Sequence, residues 1–515
     1  MLASHHLPAH CHYDPAAGQS LLRALRSNRD LGPRVRSLTF HLSAFTEPAT
    51  FSDLTSDDIL RLCPNLLSLE TPVANFAPLA DGRAPAANYP SSLRQFRLAP
   101  TMNEVEGYES MDEDGGSQSS DATSDGLPGV LKRLEDVPAE LRGLKMERIS
   151  NRSLLQSEAP SNEFPLEELR RFEIVFTNMS GEMLEWMTKK SVAAGTLSEL
   201  KLWCMGGVPP TNIQALLVTI GANLHSFEYK PQSKDMGALI KQVLPHLPAL
   251  RHLTLGAGGS DHHIYPLLPT TLESLCIALP SHHGAANLDP LILALGPVGN
   301  LQSLRRLELY SQIYFPAPEG LVEYIDDVDS RGFAPLPSLR EVRLSHIHAQ
   351  EGHWARFFAL VGPNLRALSL HHINDSSSNI ITHCPALRRL ELGVAGYAAP
   401  NFLNLLTNNG RADHLHLLRI HFISQIPLTS LLATLRLNNP SSGKLLPSLL
   451  SLHLTGVFPD NIPISTAEGW CDGRKVDELV RVCEERNVEL ALNGWRIASL
   501  GDLWGAAVKF AMARS

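Results

Sequence analysis

Apolar residues recur at the first, fourth and sixth places of a hexad along most of the chain, while the second and fifth places are mostly polar. LPSLREVRLS (336–345), GPNLRALSLH (362–371) and CPALRRLELG (384–393) share this register. Fifteen such hexads begin at Val35, Leu66, Leu93, Leu141, Leu169, Leu197, Leu224, Leu250, Leu272, Leu304, Leu339, Leu365, Leu387, Leu415 and Leu449. Successive starts lie 22 to 35 residues apart, with one longer interval of 48. In an extended strand the fourth and sixth residues point to the same face, and the first covers that apolar column from the preceding turn. Self-similarity at this period predicts stacked coils sharing one core, an architecture that lengthens without adding domains.

Between the hexads, TNIQALLVTIGAN (211–223) and ARFFALVG (355–362) place apolar residues at three- and four-residue intervals, the pattern of an amphipathic helix. Each unit therefore reads as strand, loop, helix. Pro64, Pro248, Pro337, Pro363, Pro385 and Pro447 stand two residues before the first Leu of their hexads, where they are expected to end a helix and favour an extended entry.

These hexads resemble leucine-rich repeats, and units of about 28 residues with helical backs look like the ribonuclease-inhibitor-like class, over roughly 35–492. The resemblance implies an α/β solenoid, a horseshoe with a parallel concave sheet and a helical convex side. LLRALRSNRDLGPRVRSLTF (21–40), ILRLCPNLLSLE (59–70) and VDELVRVCEERNVELAL (476–492) are similar to segments of fungal F-box/leucine-rich-repeat proteins. That likeness implies a substrate receptor of a ubiquitin ligase, with an adaptor and a cullin as partners. An F-box would precede Ser20 and open with a Leu-Pro pair. Only HLPAH (6–10) stands there, so the F-box itself is expected to be absent or truncated. The alternative is a leucine-rich-repeat scaffold or inhibitor unconnected to ubiquitination.

The expected organisation is a flexible lead over 1–19, a repeat domain over 20–492 that opens with a capping helix at 20–30, and a C-terminal capping helix within 493–515. A Gly/Ser/Asp-rich tract at 101–129 is too polar to pack and reads as a disordered insertion. Of the formal charge of -9, residues 103–126 supply eight acids and no Lys or Arg, which leaves the rest of the 515-residue chain near neutral. Seven scattered Cys without a C-x-x-C pair argue against a disulfide framework and a zinc module. With no secretory h-region and no long apolar run, the expectation is an intracellular protein of the cytoplasm or nucleus.

Fifth hexad positions should face the concave surface, placing Lys145, Glu173, Lys201 and Glu228 in an alternating-charge ladder. Aromatics and Arg favour tight interfaces, so Glu173, Lys201, Trp203, Glu228, Tyr229, Glu308, Tyr310 and Arg343 are the expected contact zone for a protein partner. The face is not a basic stripe and holds few stacking aromatics, which disfavours nucleic acid. Arg fills the second position in nine units, from Arg36 to Arg388, and should line one rim, either as framework or as a dock for the acidic tract. His262/His263 and His282/His283 read as exposed loop residues, and His371/His372 is a weaker candidate still, so no metal site is expected. Cys63 and Cys384 read as small buried hydrophobes. No nucleophile elbow, phosphate loop or metalloprotease motif is present, so neither catalysis nor a cofactor is expected.

Overall fold

The computed structural model of the chain describes residues 23–39, 60–72, 89–99, 137–147, 164–203, 207–231, 237–256, 262–279, 288–311, 335–347, 353–371, 381–394, 413–422, 428–436, 438–439, 443–444, 446–455, 473–492 and 495–497. Two compact units divide it, Met1–Thr254 and Leu255–Ser515. The lead at 1–19, the acidic tract and the segment after Ile497 lie outside the described residues. In the expected opening helix, residues 23–27 are helical and a turn begins at 29.

In the first unit, β1 (Ser37–Thr39), β2 (Ser68–Pro72), β3 (Gln95–Ala99), β4 (Gly143–Glu147), β5 (Arg171–Val175), β6 (Glu199–Trp203) and β7 (Ser226–Lys230) pair in parallel in chain order. β8 (His252–Leu255) lies at the boundary. The second unit continues the rule with β9 (Ser274–Leu279), β10 (Arg306–Ser311), β11 (Glu341–Ser345), β12 (Ala367–His371), β13 (Arg389–Val394) and β14 (Leu417–Phe422). A two-stranded antiparallel ribbon, β15 (Asn438–Asn439) and β16 (Gly443–Lys444), precedes β17 (Ser451–Thr455), which pairs with β14. β18 (Glu489–Leu492) adds in parallel to β17, and β19 (Trp495–Ile497), inside the range expected to be a capping helix, turns back antiparallel on β18. Each of the fifteen hexads thus starts a strand at its third residue. Both units are leucine-rich-repeat solenoid structure of the α/β class.

The hexad logic is visible in burial. Leu66, Leu93, Leu141, Leu169 and Leu197 at first positions and Phe172, Ile174, Leu200 and Leu202 at fourth and sixth positions are almost fully enclosed. Strands alternate half-buried and buried residues, as in Gly143–Glu147 and Ser226–Lys230. Each enclosed Leu contributes about 2 kcal/mol of transfer free energy.

Helical or 3-10 residues end just before Pro64, Pro248 and Pro385, as expected, and the prolines also shape the turn that follows. In Cys63-Pro64-Asn65-Leu66 the Leu66 N–H donates to the Cys63 carbonyl at 3.2 Å, and the same turn recurs at Leu250, Leu365, Leu387 and Leu449. Pro therefore occupies the second place of a β-turn, where its fixed φ is already correct. The next residue stitches neighbouring coils: Asn65, Ser92, Thr196, Ser338 and Asn364 each donate a side-chain hydrogen bond to a carbonyl of the preceding coil's turn.

Helices return some coils. In the first unit α1 (Gly181–Ala193), α2 (Pro210–Ile220) and α3 (Gly237–Val243) pack against one another in succession. α1 starts where Ser180 accepts from the Met183 N–H, and it buries Met183, Leu184, Trp186 and Met187. In the second unit α4 (Asp289–Leu295) packs on α5 (His353–Val361), with Arg356 ion-paired to the buried Asp289 at 3.1 Å. There too α6 (Leu428–Arg436) packs on α7 (Gly473–Arg486). Between β8 and β9 the described residues return through a 3-10 turn, His262–Leu267, in place of the α-helix expected there.

Candidate functional site

Hexad positions three, five and seven point away from the core and form the open face of each sheet. In the first unit the register places Lys145, Glu173, Lys201 and Glu228 side by side, as expected. The ion pairs, however, run along strands as well as across them, because residues two apart share a face. Lys145 pairs with Glu147 on its own strand at 2.7 Å, Arg171 pairs with Glu173, and Lys201 reaches across to Glu228 at 3.3 Å. Arg97 bridges Glu70 at 3.0 Å and Glu147 at 2.6 Å. Burial alone pushes the Glu147 carboxyl up, but the hydrogen bonds and charges of Lys145 and Arg97 outweigh it and hold the carboxyl below its ordinary value.

Trp203 stands at the end of this ladder. The ammonium of Lys201, two residues earlier, lies 3.6 Å from its ring centroid, and that of Lys230, its register partner on β7, lies 3.8 Å away. Both are cation–π contacts. The indole N–H is buried and meets no hydrogen-bond acceptor among the described residues.

The expected contact residues separate. Lys201, Trp203 and Glu228 lie half-buried on the open face of the first unit, with Glu173 enclosed beneath its Arg171 partner at 6% exposure. Tyr229 is a correction. It occupies the sixth place of its hexad, points into the core at 3% exposure, stacks on Phe227 with centroids 5.8 Å apart, and burial raises its hydroxyl pKa. It cannot meet a partner on the open face. Glu308, Tyr310 and Arg343 sit on the open face of the second unit, where Glu308 pairs with Arg306 at 3.1 Å and Arg343 with Glu341 at 2.8 Å.

Sequence reasoning missed a second cluster on that unit. His371, Gly393, His421 and Thr455 all occupy the seventh place of their hexads and stand in one register row across β12, β13, β14 and β17. Glu391, two residues before Gly393, reaches the same spot: its Oε1 lies 2.7 Å from His421 Nε2 and 3.7 Å from His371 Nε2. Thr455 Oγ1 is 2.7 Å from His421 Nδ1, and Ser369 Oγ is 3.0 Å from His371 Nε2. Burial would raise the Glu391 carboxyl, but the His421 hydrogen bond and the charges of Arg419, His421 and His371 together hold it below its ordinary value. The signal was present in the sequence as the aligned stretches LRALSLH, LRRLELG, LHLLRIH and LLSLHLT. Among the His pairs singled out from sequence, His263 is exposed, while His282 and His283 lie outside the described residues.

At the rim, Arg36 donates to the Asn65 carbonyl at 3.1 Å, Arg94 to that of Ser91 at 2.8 Å and Arg340 to that of Asn364 at 3.3 Å. These contacts support the framework reading for those three. Cys63 and Cys384 are fully enclosed, and burial pushes their thiols up to about 11 and about 12, so neither is activated.

Each unit thus has the fold of a leucine-rich-repeat solenoid, with a polar open face. No protein-family model matches the chain, and no curated protein matches it. Among solved structures it is similar to a yeast complex of Rad7 and Elc1, with 15% identity and a TM-score of 0.37, covering 79% of this chain and 89% of that one. A complex of TLR13 with ssRNA13 shows 14% identity and a TM-score of 0.27, covering 82% of this chain and 69% of that one. Among the described residues no helix is long and apolar enough to cross a membrane.

Proposed function

We propose that the chain is a non-catalytic protein-interaction module and that the open face of the first unit, around Trp203, is where a protein segment binds. The observation that carries this reading is the half-buried Trp203 ring on the open face, capped by the ammoniums of Lys201 and Lys230 at the end of a mixed-charge ladder. The half-exposed ring and its cations supply the kind of anchor that dominates interface energetics. Lys201 and Glu228 would fix register beside it, with Glu173 holding Arg171 in place beneath. On the second unit Glu308, Tyr310 and Arg343 offer a further contact zone of mixed sign. Alternation of charge supports a polypeptide over nucleic acid, whose phosphates select basic grooves.

The finer proposal is an F-box-type substrate receptor of a ubiquitin ligase, and it rests on the sequence resemblance of residues 21–40, 59–70 and 476–492. The test is affinity purification of the tagged full chain beside a Trp203→Ala/Lys201→Glu variant, with mass spectrometry of the co-purifying proteins. A partner recovered with the wild type and lost from the variant supports the open-face reading, and a partner set that is unchanged overturns it. Adaptor and cullin recovered with both proteins support the receptor. Their absence from both, beside a retained partner, assigns a scaffold.

A further inference from the structure

We propose that His371, Glu391 and His421 form a binding site for a divalent transition-metal ion, zinc foremost, on the open face of the second unit. The three side chains come from three adjacent parallel strands, and one donor atom from each falls within 4.8 Å of the others. Zinc held by imidazole nitrogen and carboxylate oxygen at about 2.0–2.1 Å needs its donors about 3.3 Å apart, so the observed 2.7 and 3.7 Å separations require sub-ångström adjustment.

Glycine makes the convergence attainable. Strands β12 and β14 flank β13, so their seventh-position side chains stand two strand spacings apart, about 9–10 Å. The two imidazole centroids nevertheless lie 5.3 Å apart. A Cβ on Gly393 would fall 2.1 Å from His371 Nδ1. The absent side chain is what lets the His371 ring lean over β13 toward Glu391.

The surroundings resemble those of a metal ligand set. Thr455 Oγ1 holds His421 by Nδ1, which orients Nε2 toward Glu391. Ser369 holds His371 by Nε2, a hydrogen bond the ion would displace. Arg419 approaches the other carboxylate oxygen of Glu391, Oε2, at 3.8 Å, which leaves Oε1 to the histidines but opposes a dication. Two imidazoles favour zinc or its neighbours over the oxygen-seeking magnesium and calcium. Three protein donors leave a coordination position for water or for a donor from a bound partner.

The experiment is calorimetric titration of the full chain with zinc chloride, together with the visible ligand-field spectrum of added Co(II). Because His5, His6, His10, Cys11 and His12 could bind zinc independently, one control replaces those four histidines with alanine. The expected result is one zinc per chain retained by that control. Glu391→Gln and His421→Ala should weaken binding at least tenfold and abolish the Co(II) bands, and Thr455→Val should weaken it about 10–100-fold by freeing the ring. Metal-free melting curves establish that each variant is folded, and Glu391→Gln, nearly isosteric, serves if the alanine variant is not. Zinc affinity unchanged in Glu391→Gln, binding lost only with the N-terminal histidines, or no binding to the wild type overturns the proposal.

Discussion

Thr196 shows how much of this chain's order depends on single polar side chains. Its hydroxyl lies 2.6 Å from the Glu167 carbonyl and 3.1 Å from that of Leu169, tying one coil to the turn of the coil before it. Thr196→Val keeps the shape and removes the donor, leaving the partly buried Leu169 carbonyl short of this partner. The expected loss is about 1–3 kcal/mol by urea unfolding, and an unchanged midpoint would mean that water replaces the bond freely. Such residues were hard to read from sequence because Asn, Ser and Thr all fill the position, so no single letter repeats. Tyr229 failed for the opposite reason: its aromatic character suggested an interface, while its place in the hexad already put it inside. His371 and His421 lie 50 residues apart in sequence, and only the register row reveals them as neighbours.

At the scale of the element, strand starts were legible because the apolar positions one, four and six leave only one way to face the core. Returns between strands were less legible, since a short amphipathic stretch and a 3-10 turn both bury a few apolar residues before the next β-turn. Close approach between coils is set there by glycine. A Cβ on Gly221, at the end of α2, would meet the His246 carbonyl at 2.0 Å. Across strands β3 and β4 the ion pairs of Glu147 make a pH-dependent contribution. Its folded pKa is held below the ordinary value, so the stabilisation is present above the unfolded pKa of about 4.3 and is lost as pH falls through the folded value. The stability gap between wild type and Glu147→Gln should therefore be widest at neutral pH and close below about pH 4. A gap independent of pH would show that the carboxylate charge is not what holds Arg97 and Lys145.

For the whole molecule, the consequence of a ladder is that energy is shared between neighbouring coils rather than across one global core. Each strand hydrogen-bonds to the strands beside it, and the stitching side chains reach back a single coil. The sequence announced this architecture by its period, yet it could not show that the chain divides near residue 254, because the hexads continue through that point without a change of pattern. Leu390, 1% exposed in β13, allows the division to be tested. Leu390→Ala should cost about 2–5 kcal/mol through lost transfer energy and the cavity left behind. If that loss is felt locally, amide hydrogen exchange should quicken in β12, β13 and β14 and fade with each coil beyond them, while β5 and β6 of the first unit keep their protection. Uniform acceleration in both units would instead mean that the ladder unfolds as one cooperative body, and that a ligand gripping the second unit would stabilise the first equally.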